Sequence, residues 1–173
     1  MFGAQPASGP GIQLRALLEG HVLQAIGSAD CNDLPKLLAT IGDQGDFAVR
    51  SAGPRQWLVV GDASLTSDAI EARANQLGKQ AVLVDQSHGR VRISLAGIAV
   101  ETLLAKGTGI DLGLPAFPVG HSAMTLIRHI AAHLTRVGAC VFEILVARGF
   151  AESLWDDLLL MGGEFGVEAK VAG

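Results

Sequence analysis

Residues 112–127 are the longest stretch without a charged side chain, yet Gly113, Pro115, Pro118, Gly120 and His121 interrupt them. A helix that crosses a bilayer needs about 20 consecutive apolar residues, so this run does not supply one and none is expected. The chain must bury its apolar side chains through short strands and helices stacked in layers. Its 173 residues fit one domain on the usual scale of roughly 100–200 residues each. The expectation is a flexible tail over residues 1–11, which has neither a basic nor an apolar signal-peptide region, and a single domain over residues 12–173.

Apolar residues make up 49 % of the chain and charged residues only 17 %, against about 25 % charged in ordinary soluble domains. There is more apolar material than one core needs, and the surplus is expected to cover a partner. With 13 Lys and Arg, scattered singly, against 17 Asp and Glu, the net charge is −4. Nucleic-acid binding is excluded, because it calls for a basic patch that displaces counterions from phosphates. Cys31 and Cys140 form no CxxC pair and read as two reduced, partly buried thiols of a cytosolic protein.

Short elements follow one another along the chain. Residues 21–26 read as a strand, and 34–41 as a helix with Pro35 in its first turn and Gly42 as its stop. Residues 47–51 and 56–60, joined through Gly53 and Pro54, read as a hairpin. Ser67 is expected to cap a helix that Asp68 and Glu71 favour at its positive end and Gly78 closes. A strand is expected over 81–85, and another over 90–95 with Val91, Ile93 and Leu95 inward and Arg90, Arg92 and Ser94 wet. Residues 98–106 read as a helix stopped by Gly107. The segment 107–120, with four Gly and two Pro, is too broken for regular structure. Residues 141–146 read as a strand and 150–161 as an amphipathic helix. Across 122–137 the spacing of Met124, Ile127, Ala131 and Leu134 slightly favours a helix, although Met124, Leu126, Ile130, Ala132 and Leu134 nearly alternate and Arg128 breaks the pattern.

No constellation of reactive residues amounts to an active site. His129 and His133 share a helical face but lack the Glu of HExxH and a third ligand; on a strand they stand about 13 Å apart. Ser87 and His88 are adjacent, so in an extended chain they point to opposite faces and read as a polar turn. Residues 107–113 lack the glycine spacing and the strand-to-helix setting of a dinucleotide loop. Asp156 and Asp157 diverge on a helix and read as its solvated side. No catalytic, cofactor-binding or metal-binding residue is therefore assigned to this chain.

Five elements in order carry a family resemblance. Gly53-Pro54-Arg55-Gln56-Trp57-Leu58 is similar to a GP-x-x-W-L element, and Asp85-Gln86-Ser87-His88 with Gly89, Arg90 and Gly97 to a D-x-S-H strand pair. Leu103, Leu104 and Gly107 lead into Asp111-Leu112, and Ala116-Phe117-Pro118-Val119-Gly120 resembles an AFPVG element. Phe142-Glu143 through Arg148, Phe150-Ala151 and Leu154-Trp155 resemble a closing FE…R-x-FA-x-x-LW element. Together they resemble the gamma subunit of heterotetrameric sarcosine oxidase, a family similar in turn to the folate-binding aminomethyltransferase domain of the glycine cleavage system.

The resemblance implies an α+β fold, a mainly antiparallel sheet with helices packed on it, in which residues 122–137 form a strand beside 141–146. It implies a cytoplasmic αβγδ assembly that oxidises the N-methyl amine of sarcosine at FAD and reduces oxygen at a covalently held FMN, releasing hydrogen peroxide. The one-carbon unit passes to tetrahydrofolate. FAD, FMN, NAD, zinc and tetrahydrofolate are implied in the other subunits and none in this chain, which lacks the aminomethyltransferase acid near residues 138–142. The chain's implied role is to pack against the alpha subunit, with beta and delta as further partners. Interface candidates are Trp57, Phe117, Phe150 and Trp155, because large aromatics dominate buried contact energy. The alternatives are the corresponding subunit of an N-methylglutamate dehydrogenase, a free-standing folate-binding module, and a homo-oligomeric enzyme built on Ser87-His88 or His129 and His133.

Overall fold

The computed structural model describes residues 11–31, 33–41 and 47–171. Apart from Gly11, the expected tail lies outside the described residues, as does Gly42. In chain order the elements are β1 (Ile12–Ala16), β2 (His21–Gly27), α1 (Leu34–Leu38), β3 (Phe47–Gly53), β4 (Gln56–Gly61), α2 (Ser67–Leu77), β5 (Ala81–Asp85), β6 (Arg90–Ala96), α3 (Val100–Ala105), β7 (Ser122–Ile127), β8 (Ile130–Gly138), β9 (Val141–Ala147), α4 (Ala151–Gly162) and β10 (Val167–Lys170). The fold is α+β. It divides into two compact units, one of residues 18–91 and one of the remainder.

The unit of residues 18–91 carries the four-stranded sheet β3-β4-β2-β5, with every pairing antiparallel. Alternation along the strands turns Leu23, Ala25 and Val59 to one face, where they meet Leu34 and Leu38 of α1 and Leu77 of α2 in a buried core. The β3–β4 hairpin turns at Pro54 and Arg55, the latter at φ 58. A left-handed arginine is uncommon, and here it is tied at both ends. Its carbonyl accepts from the Gly27 N–H at 2.9 Å, and its Nη2 donates to the Gly27 carbonyl at 2.6 Å.

The other unit is built on the sheet β10-β1-β6-β9-β8-β7. Here β1 runs parallel to β10, while the β1–β6, β7–β8 and β8–β9 pairs are antiparallel. One face carries Ile12, Leu14, Ile93, Leu95, Leu134, Phe142, Ile144 and Val146, all buried. Helices α3 and α4 pack on each other where Leu103 reaches Gly162. Lys106 joins them further by donating to the Met161 carbonyl at 2.8 Å, pairing with Glu164 and lying 4.4 Å from the Phe165 ring centroid.

Several expectations are corrected. Residues 122–137 are neither a helix nor one strand but the β7–β8 hairpin, reversed at Arg128 and His129. Arg128 sits at φ 54, and its N–H donates to the Gly107 carbonyl at 2.6 Å. The residue that spoils the alternation is the turn itself, and β8 pairs with β9 as the resemblance implied. Helical spacing arose by accident, because β8 is buried on both faces and carries apolar residues at adjacent positions. Thr66, not Ser67, caps α2 by accepting from the Ala69 N–H at 3.2 Å. Helix α3 is shorter than residues 98–106 and leaves Ile98 92 % exposed. Arg92, expected to be wet, is buried, and Cys140 is exposed rather than partly buried.

Gly97, at φ +145, brings its backbone against Gly11 and Ile12, so that a Cβ there collides with main chain. Gly97→Ala is expected to cost more than about 2 kcal/mol in chemical denaturation, the strain of such a backbone plus the collision. Gly120→Ala, at φ +87 with open space around its Cβ, is expected to cost only the strain, about 1 kcal/mol.

Candidate interaction surface

The segment 107–120 forms no strand or helix but keeps a turn of its own, in which the Gly113 carbonyl accepts from the Ala116 N–H at 3.0 Å and the Phe117 N–H at 2.8 Å, and Asp111 Oδ1 accepts from the Gly113 N–H at 2.9 Å. Arg136 of β8 is completely buried and reaches three acceptors on separate pieces of chain. Its Nη1 donates to the Ala139 carbonyl at 2.5 Å, and its Nη2 donates to Glu101 Oε1 of α3 at 2.8 Å and to the Leu112 carbonyl. The guanidinium lies 4.4 Å from the centroid of Phe142, a favourable cation–π position. Phe142 stacks on Phe117 with ring centroids 6.3 Å apart. The Arg136 backbone joins the same segment, its carbonyl accepting from the Gly120 N–H at 2.8 Å and its N–H donating to the His121 carbonyl at 3.0 Å.

With Leu112 and Phe117 drawn inward, the residues between and beyond them face out. Leu114 is 49 % exposed, Val119 54 %, Met124 48 % and Leu126 56 %. All lie within the uncharged run 112–127, and β7 is an outer strand of its sheet. By register Met124 and Leu126 stand on the sheet face of Thr135 and Glu143, whereas Leu114 and Val119 belong to the segment lying over Phe142 on the opposite face, so the four form two separate exposed apolar patches. A smaller set, Ile26, Val82 and Val84, stands exposed on β2 and β5.

The aromatic interface candidates separate. Phe150 is 57 % exposed at the start of α4, while Trp57 and Trp155 are half-buried, Trp57 against the core of the first unit. Phe117 is buried against Phe142 and His121 and offers no surface to a partner. Exposed aliphatic residues were not singled out by sequence reasoning. Their signal was the uncharged run itself, which bears on docking as well as on membrane crossing.

The residues with a reactive look are placed in structural roles. Ser87 donates its hydroxyl proton to Asp85 Oδ1 at 2.6 Å, its N–H donates to the same oxygen at 2.9 Å, and its Oγ accepts from the Val22 N–H at 3.1 Å. His88 lies 3.7 Å from Glu19, both well exposed. Burial pushes the Asp85 carboxyl up, but the Ser87 bonds together with His88 and His21 outweigh it, and the carboxyl is held below its usual value. His129 sits in the exposed β7–β8 turn and His133 is buried in β8. Asp157 Oδ1 lies 3.3 Å from Arg128 Nε, while Asp156 is exposed. Among the described residues no three His, Cys, Asp or Glu stand close enough to hold a metal ion, and no helix is long and apolar enough to cross a membrane.

A buried ion pair lies on the other face of the six-stranded sheet. Arg92 Nε donates to Glu143 Oε1 at 2.9 Å and its Nη2 to Oε2 at 3.4 Å. Beside it, Thr135 shares a hydroxyl hydrogen bond of 2.9 Å with Ser122.

Comparison with known proteins gives a consistent picture. The model of the sarcosine oxidase, gamma subunit family matches residues 18–162. An aminomethyltransferase from Herpetosiphon aurantiacus is 32 % identical over 121 residues, 68 % of this chain and 33 % of that protein. The chain thus spans about a third of that relative's length. The heterotetrameric sarcosine oxidase from Corynebacterium sp. U-96, solved in complex with pyrrole 2-carboxylate, matches at a TM-score of 0.78 and 23 % identity over 95 % of this chain and 90 % of that one. The glycine cleavage system aminomethyltransferase T from Bartonella henselae matches at 0.64 and 16 % identity, over 92 % of this chain and 48 % of that one. At these identities the two structures establish the fold.

Two outcomes are expected here. Arg92→Met removes both hydrogen bonds to the buried Glu143 carboxylate and is expected to cost about 2–3 kcal/mol in urea denaturation, whereas Arg92→Met with Glu143→Leu is expected to recover most of that loss. Because the Asp85 pKa is lowered by folding, its contribution is complete above the ordinary carboxylate pKa of about 3.9 and is lost as pH falls through the folded value. The stability difference between wild type and Asp85→Asn, followed by thermal melts against pH, is therefore expected to shrink towards zero in acid.

Proposed function

The chain belongs to the sarcosine oxidase gamma subunit family, and from that premise we propose that it is the non-catalytic gamma subunit of a heterotetrameric, cytoplasmic sarcosine oxidase. The observation that carries the reading is the family match over residues 18–162. In this reading the assembly demethylates sarcosine to glycine, passes the one-carbon unit to tetrahydrofolate and releases hydrogen peroxide. FAD, FMN, NAD and zinc reside in the alpha, beta and delta subunits. In this reading the chain packs against alpha through the exposed apolar residues Leu114 and Val119. Support comes from their exposure and from the way permanent interfaces resemble a core cut in half.

Purification from the native source tests the reading: flavin-bearing companions are expected to travel with the chain, and its recovery alone would sink the proposal. Leu114→Glu and Val119→Glu place a charge on exposed positions, so the isolated chain is expected to melt within about 0.5 kcal/mol of wild type. Co-purification with alpha is expected to fall at least tenfold, since burying an unpaired carboxylate in an apolar contact is costly.

The likeness to aminomethyltransferase favours a second reading, a free-standing folate-binding module. Calorimetry of the isolated chain with tetrahydrofolate separates the two, binding heat supporting the module and its absence at millimolar ligand the subunit.

A further inference from the structure

We propose that residues 2–10 dock on their own chain, as a strap across a hollow where β1 begins, with Phe2 seated on Ile98, in place of the free tail that their composition suggests. The inference concerns a different part of the chain from the subunit reading above and does not depend on it.

The hollow, of about 440 Å³, is lined by Gly11, Ile98, Ala99 and residues 163–166. One wall is an almost bare isoleucine, since Ile98 is 92 % exposed. The opposite wall is held by Lys106, which donates to the Met161 carbonyl at 2.8 Å, pairs with Glu164 and lies 4.4 Å from the Phe165 ring centroid. The charged side chain of the lining, Glu164, is thus already matched.

The occupant follows from where the chain enters. A Cβ on Gly11 would stand 2.2 Å from the Phe165 carbonyl oxygen, and one on Gly97 2.2 Å from the Gly11 carbonyl oxygen. The backbone at Gly11 therefore threads a slot between the corner that joins β6 to α3 and the turn into β10, and whatever precedes Gly11 leaves the slot at the hollow. Residues 1–10 contain no charged side chain, so laying them on Ile98 and Ala99 buries no unpaired charge. Extended, they reach up to about 35 Å, several times the width of such a hollow, and Phe2 can turn back onto Ile98. Pro6 and Pro10 have fixed φ, which lowers the entropy lost on docking. Because the segment is tethered, its effective concentration is on the order of millimolar, and a contact too weak to capture a separate molecule suffices.

The test reads amide exchange on the full chain for wild type, Phe2→Ser, Ile98→Ser and the double variant, at two protein concentrations and with and without the companion subunits. Phe2→Ser is expected to speed exchange at residues 98–100 and 163–166 by roughly fivefold and to leave β8 and β9 unchanged. Ile98→Ser is expected to do the same, and the double variant to go no further, since the two side chains share one contact. Unchanged exchange in Phe2→Ser overturns the proposal, and so do additive effects of the two substitutions. Protection of residues 98–100 that survives Phe2→Ser but disappears on dilution assigns the hollow to a second copy of the chain, and protection that needs the companion subunits assigns it to them; either result rejects the strap.

Discussion

The guanidinium of Arg136 is the point at which the larger unit's separate pieces are joined. Strand β8, the β8–β9 turn, helix α3 and the irregular segment 107–120 each give it an acceptor or a ring. A buried cation of this kind stands only because its partners are in place, so each piece is required to hold the others' geometry. The irregular segment satisfies its Gly113 carbonyl internally, from the Ala116 and Phe117 N–H groups, while the Leu112 carbonyl turns inward to the guanidinium. Placing a many-donor side chain beneath it is the economical solution, and it leaves the segment's apolar side chains free to face outward.

Charge placement reinforces that outcome. Only 17 % of the residues are charged, and Arg50, Arg92, Arg136 and Glu143 are buried. The outside is therefore poorer in charge than the composition alone implies. What remains around β7 is a strand without a gatekeeping Lys or Glu, edged by exposed Met124 and Leu126. Isolated domains commonly blunt such edges with charge, proline or a bulge, and β7 has none of the charged residues that would do so. The interior ion pair of Arg92 and Glu143 belongs to the same pattern of charges used for internal geometry rather than for solvation.

Element types were legible in the sequence wherever a local rule decided them. Gly78 closes α2, Pro54 and Gly53 shape the first hairpin, and β9 reads as a strand from its β-branched run. The reading failed where tertiary context overruled local pattern. In β8 both faces are covered, so apolar residues fall at helical and strand spacings alike, and only the pairing with β9 separates the two. Arg92 sits on the nominally wet side of an alternating strand, and nothing nearby in sequence announces Glu143, 51 residues away. Arg136 carried no signal at all, lying between Thr135 and Val137 like any solvent-facing strand residue. Among the aromatics, size marked Phe117 and Phe150 equally, yet the ring bound up with Arg136 is interior while the ring at a helix start is outside. Long-range contacts that place a side chain are the information a single chain of letters does not display.

The Asp85-Gln86-Ser87-His88 stretch shows why a shared motif and a shared activity are separable. Its serine looks like a nucleophile beside a histidine, but the hydroxyl proton is committed to Asp85 and the oxygen to the Val22 N–H. Those bonds close a tight turn and fasten it to β2, which is structural work. A motif of that kind persists with the fold, and its presence in chains of different activity follows without shared chemistry.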